Sequence, residues 1–180
     1  MEPMFLSIIN SNSKWYEDHK NYKDALKERS WIEWFIKNWG FSDEILKDNY
    51  QFEQFSDLRS ILNNAMDTII SGKELTGEQL EKITGYLALS KLNYCLKVDN
   101  EQYKLALIPV TADWNYVLSE IAASFIKAIN EYDSSRFNRC ENPDCKCVFH
   151  DSSKNQTRRW CCNSCSSLIK VRRYRQKLKM

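Results

Sequence analysis

The chain is poor in the residues that make tight turns and in those that do acid–base chemistry. Four glycines and three prolines in 180 residues leave few sharp turns and favour long regular elements, so a mainly α fold is expected. Only His19 and His150 are available as histidines, and neither a G-x-S-x-G elbow nor a glycine-rich phosphate loop occurs, so catalysis is not expected. No apolar run approaches the roughly 20 residues needed to cross a bilayer. No secretory leader is read at the amino terminus, so a cytoplasmic chain with reduced thiols, and no membrane partner, is expected.

Acidic residues are also missing from one end. After Lys154 there is none, while Lys154, Arg158, Arg159, Lys170, Arg172, Arg173, Arg175, Lys177 and Lys179 add nine positive charges. The formal charge of +2 therefore hides an asymmetry: residues 1–133 carry 14 Lys and Arg against 21 Asp and Glu, whereas residues 134–180 carry 12 against 3. A boundary near Asp133 is expected, between an acidic front half and a basic end that attracts polyanions. If the halves dock, the acidic front would compete with phosphate for the basic end.

What the chain does have is cysteine in one place. Six of its seven cysteines lie between Cys140 and Cys165, arranged as C-x4-C, a fifteen-residue interval, then C-x3-C. Paired hooks of this kind are the spacing of a structural zinc site, in which four ligands close a tetrahedron. The expected set is Cys140, Cys145, Cys161 and Cys165, with Cys162 the rival at the second hook and Cys147 and His150 nearby. Asn142-Pro143-Asp144 supplies turn chemistry for the first hook. Asn163 or Ser164 is placed to cap a helix that starts at the second. A turn hook, a short hairpin and a hook on the first turn of a helix make a treble-clef-like finger. On that helix Lys170, Arg173 and Lys177 share a stripe flanked by Arg172, Arg175 and Lys179, while Leu168, Val171 and Leu178 can turn inward.

The front half reads as helices around one β-hairpin. Met4 to Ile9 suits a short first helix, and residues 13–21 a polar, aromatic loop. Ser30 and Glu33 form a capping-box pattern that opens a helix carrying Trp31, Trp34, Phe35 and Trp39 and stopping at Gly40. The three tryptophans are read as core. A helix from Phe52 to Ser71 buries Phe55, Leu58, Ile61, Leu62, Ala65, Met66 and Ile69, with Arg59 off that stripe. Thr76 and Gln79 form a second capping box before Leu80, Ile83, Leu87 and Leu89. The period then falls to two: Leu92, Tyr94, Leu96 and Val98 alternate with polar residues, Asp99-Asn100 turns, and Tyr103, Leu105 and Leu107 alternate again. Cys95 lies on the opposite face as a structural thiol. A last front helix follows Asp113, with Trp114, Val117, Leu118, Ile121, Ala122, Phe125 and Ile129 on one side.

The carboxy-terminal residues resemble the CGNR zinc finger family. The matching positions are Cys140, Asn142, Pro143, Cys145, Phe149, Asp151, Ser153, Lys154, Asn155, Arg158, Arg159, Trp160, Cys161, Cys165, Lys170, Val171 and Arg172. The second hook is one residue shorter than that family's pattern, and Ser166-Ser167-Leu168 stands where the pattern has Gly-Asn-Arg. The front half looks like the ABATE domain that precedes such fingers, through Phe5 to Ser11, Trp34 to Gly40, and Leu58-Arg59. The resemblance implies a bacterial stress-linked transcription regulator, with a ligand-sensing or partner-binding front half and a DNA-binding finger.

Three functions follow as expectations. The first is a zinc-binding, DNA-binding regulator, with nucleic acid met by Arg158, Arg159, Lys170, Arg172, Arg173, Arg175 and Lys177, and with a small-molecule ligand or a homodimer contact in the front half. Asn10 and Arg59 are the candidate ligand-binding residues there. The second is an RNA-binding finger, because phosphate contacts alone do not distinguish the polymers. The third is a protein-interaction module whose basic helix meets an acidic partner or the chain's own acidic half.

Overall fold

In a computed structural model, residues 2–12 and 23–178 are described; the run 13–21 with His19, and Lys179, fall outside these. Six α-helices, three short 3-10 turns and two antiparallel hairpins make up the regular structure of the described residues: α1 (Met4–Ile9), α2 (Arg29–Asn38), α3 (Phe52–Ile70), α4 (Gly77–Leu87), β1 (Leu92–Asp99), β2 (Gln102–Pro109), α5 (Trp114–Glu131), β3 (Phe137–Arg139), β4 (Val148–His150) and α6 (Asn163–Lys177). The expected mainly α fold with a helical front half and a cysteine-rich end closing on a helix is what is found.

The core is built on α3 and α5, with α1 packed against both and α4 covering their other side. Along α5, Trp114, Val117, Leu118, Ile121, Ala122 and Phe125 are buried, and each large apolar side chain so buried contributes on the order of 1.5–3 kcal/mol. Asp113 starts this helix by accepting the Tyr116 N–H at 3.0 Å. On α3, Phe55, Leu58, Leu62, Ala65 and Met66 are buried as the spacing predicts, with Ile61 and Ile69 packed at the margin.

Local signals were obeyed unevenly. Thr76 and Gln79 form the reciprocal capping box. Ser30 and Glu33 do not: α2 begins at Arg29, its cap two residues earlier than expected at Glu28, whose carbonyl accepts from Trp31 and Ile32, and Glu33 is instead held by Arg29 at 2.7 Å. Gly40 has φ +72° and closes α2 as a Schellman turn, with Gly40 N–H bonded to Lys37 O and Phe41 N–H to Ile36 O. Trp31 is buried and stacks on Phe35 at 5.3 Å, but Trp34 stands 43% exposed and is not core. Leu80 is likewise exposed, leaving Ile83 as the buried leucine-like position of α4.

The hairpin of β1 and β2 has the expected strands, joined by Asn100 and Glu101, both at positive φ. Its apolar residues meet no core. They project into solvent, because neither strand packs extensively on any element but the other.

The second hairpin is short and differs from expectation in place. Strands β3 and β4 flank the first cysteine hook instead of following it. Phe137 and Val148 from these strands join the same buried cluster as the front helices. Asn10 fixes the contact: its side-chain amide donates to Val148 O at 2.8 Å, and its carbonyl oxygen accepts Val148 N–H at 2.9 Å. Arg139 reaches back to Asp67 and to Asn63 Oδ1 at 3.1 Å while bonding Lys146 O at 2.9 Å.

Candidate metal centre

The first hook closes because its backbone is bonded across the hairpin. Cys140 N–H donates to Cys147 O at 2.8 Å and Cys145 N–H to Asn142 O at 2.9 Å. Lys146 takes φ +58° between the hook and β4, and Asn142 Oδ1 accepts the Asp144 N–H at 3.3 Å, the local turn bond expected of an Asn before Pro. The second hook lies at the start of α6. Cys162 occupies the cap position, so Asn163 and Ser164 fall inside the first turn and cap nothing.

The thiols of Cys140, Cys145, Cys161 and Cys165 all lie within 4.8 Å of one another. Zinc–sulfur bonds of about 2.3 Å imply tetrahedral edges of about 3.8 Å. Cys145 and Cys161 are 3.5 Å apart and Cys161 and Cys165 3.7 Å, so the donor set and its size fit such an ion. Cys162 is exposed and lies outside this set. Cys147 is buried beside it.

The sulfurs are also prepared for negative charge. The Asn142 side-chain amide, fully buried, donates to Cys165 Sγ at 3.4 Å, and Cys161 N–H donates to Cys140 Sγ at 3.4 Å. Hydrogen bonds from outside the ligand set orient the ligands and tune their basicity. Without a cation the thiols resist ionising together. Hydrogen bonding to Cys145 and Cys147, with burial, pushes the Cys161 thiol far above its ordinary range, and burial foremost raises Cys165. A bound cation would reverse that order and release protons.

The interval between the hooks is folded by Asp151, whose carboxylate accepts from Ser153 N–H at 2.8 Å and Arg158 N–H at 2.9 Å. The cations expected at nucleic acid fall into two groups. Arg158 sits 4.9 Å over the Phe149 ring and donates to Trp160 O at 2.9 Å; Arg159 pairs with Glu141 and holds its carboxyl below the ordinary range; Arg172 pairs with Asp144 at 2.7 Å. Lys170, Arg173, Arg175 and Lys177 are exposed and form no ion pair among the described residues. Leu168 is half-buried, but Val171 and Leu178 are exposed and do not turn inward. Beyond the tie of Arg172 to Asp144, residues 170–178 are exposed, and the described residues of the acidic front half do not cover them.

Asn10 and Arg59 are engaged within the protein. Asn10 clips β4, as described above. Arg59 lies 7% exposed, not off the buried side of α3 as its spacing suggested, and grips both Asp24 oxygens at 2.6 Å and Ser11 Oγ at 3.0 Å. Both side chains are thus bonded within the protein. Sequence reasoning missed Asn142 as a sulfur partner and Asn10 as a clip; the one signal for Asn142 was its place inside the hook. No helix among the described residues is long and apolar enough to cross a membrane.

Fold and site together define a helical domain bearing a docked four-cysteine finger that can hold a metal ion. Residues 136–177 match the CGNR zinc finger family, so this segment is similar to that finger, and zinc is the metal the likeness implies. A comparison with curated proteins gave no match.

Proposed function

We propose that the protein is a zinc-dependent DNA-binding transcription regulator and not an enzyme. The observation that carries this reading is the second half of α6. It is rooted in the cysteine cluster at Cys165 and carries Lys170, Arg173, Arg175 and Lys177 exposed and outside any salt bridge among the described residues, with Arg173 near enough to Glu141 to add to Arg159 in holding that carboxyl low. When bound, zinc would cross-link the two hooks and set the angle at which that helix leaves the body.

An α-helix, about 10–12 Å across with its side chains, fits the major groove of B-DNA, about 12 Å wide. The deep, narrow major groove of A-form RNA does not admit it, which favours duplex DNA over RNA. The sensing half of the reading rests on a cleft of about 580 Å³ lined by Leu26, Ile32, Tyr50, Phe52 and Trp114, with Lys27, Arg29 and Lys47 at its rim, a volume suited to a small molecule. The Tyr50 hydroxyl beside it is buried without a hydrogen-bond partner, and burial, then Asp24, pushes its ionisation upward.

The test is binding of the zinc-loaded chain to duplex DNA, single-stranded RNA and heparin across a salt series. A preference for one duplex sequence that persists at high salt is expected. Arg173→Ala with Lys177→Ala should weaken duplex binding and flatten the salt slope by about 2, with zinc content unchanged. An identical salt slope for all three polymers, with no sequence preference, would mean charge without recognition.

A further inference from the structure

The register of β1 and β2 places Leu92, Tyr94, Leu96 and Val98 opposite Pro109, Leu107, Leu105 and Tyr103. Side chains alternate along a strand, so all eight share one face. Tyr94 is 76% exposed, Leu96 69%, Val98 67%, Tyr103 79% and Leu105 71%. The other face carries Asn93, Lys97, Asp99, Gln102 and Lys104 with Cys95, Ala106 and Ile108. The ribbon is therefore one leaf of a two-layer sheet with no second leaf among the described residues.

A two-stranded hairpin is only marginally stable alone in water, and a contiguous apolar patch beyond a few hundred Å² marks a contact surface. With five of its side chains at least two-thirds exposed, the apolar face is on the order of the 800 Å² that each partner contributes to a standard interface of about 1,600 Å². We propose that the occupant of this face is the same face of a second copy of the chain.

Two observations favour a second copy over a different protein. The face holds no charged residue, so it offers nothing to an acidic or basic partner and suits an equally apolar one. It also complements itself. A two-fold axis through the Leu96 and Leu105 row lays each of these leucines on its own equivalent. It also sets Tyr94 against Val98 of the second copy and Tyr103 against Leu107 of the second copy, so large side chains meet smaller ones. Such an isologous contact closes at two copies. Lys97 and Lys104 stay on the outer, solvated face.

The proposal is independent of nucleic-acid binding and is tested by the mass of the zinc-loaded full chain in solution. Sedimentation or light scattering is expected to give a dimer at micromolar concentration. Leu96→Asp should raise the dimer dissociation constant at least about 100-fold, as loss of a central interface residue does, while helical circular dichroism and zinc content stay unchanged. Tyr94→Thr with Tyr103→Thr, which keeps strand propensity, should weaken the dimer in the same sense. A wild-type chain that remains monomeric at about 100 μM, far above the dissociation constant of an interface this size, would overturn the proposal. So would a dimer that both variants leave intact, or a monomer whose hairpin face is occupied only by a different protein.

Discussion

The two hairpins of this protein invert the usual relation between length and security. Strands β1 and β2 are eight residues each and pair along their whole length, yet their apolar face lies in water. Strands β3 and β4 are three residues each, yet Phe137, Val148 and Phe149 are almost wholly buried. The short hairpin is held from three sides, by the cysteine hooks, by Asn10 and by Arg139. Ladder hydrogen bonds set a hairpin's register, but what lies against its face decides whether it is anchored.

The contrast can be broken most severely at the metal centre. Cys161→Ala should abolish stoichiometric zinc, seen by metal analysis, and unravel the finger, since structural zinc contributes on the order of 10 kcal/mol or more to folding such a segment. The front helices should remain by circular dichroism, at a lower melting temperature because Phe137 and Val148 lose their support. Acid acts in the same direction. Every ligating thiol must shed its proton to bind the ion, so zinc affinity falls as pH falls, and release on titrating down to about pH 5 should be complete before the front helices melt.

A smaller effect is expected at the clip. Asn10→Ala leaves the Val148 N–H and carbonyl without their partner, at about 1–3 kcal/mol for each group stranded in a buried setting, read as a shifted denaturant midpoint with zinc retained. Asn142→Ala should keep the fold and weaken zinc about 10-fold to 100-fold, the usual result of removing a group that hydrogen-bonds a ligand. The mildest change sharpens the other side of the comparison. Glu101 holds a left-handed backbone at φ +62°, and Glu101→Gly should stabilise the β1–β2 turn by about 1 kcal/mol, detectable as slower amide exchange in those strands alone.

The sequence carried the periodic parts of this structure well. Residues 52–71 and 113–129 announced α3 and α5 because an apolar stripe at helical spacing has few other uses, and the cysteine spacing picked out the four thiols that come together. It carried pairings poorly. Nothing local distinguishes Asn10, which clips a strand 138 residues away, from a ligand-facing asparagine, or Arg59, closed on Asp24, from an anion receptor. Alternation announced the β1–β2 hairpin, but alternation is silent on whether the apolar side has a neighbour. The tail charges were legible as a cluster; that Arg159 and Arg172 are spent on Glu141 and Asp144, leaving Lys170, Arg173, Arg175 and Lys177 outermost, required the fold.

Because Phe137 and Val148 sit among the side chains of the front helices, the finger cannot be treated as a detachable module. Cutting the chain near Asp133 would open two holes in the helical half and bare the underside of the finger at once. Grafting the finger onto an unrelated carrier would need Phe5, Asn10 and the Asn63 face to travel with it.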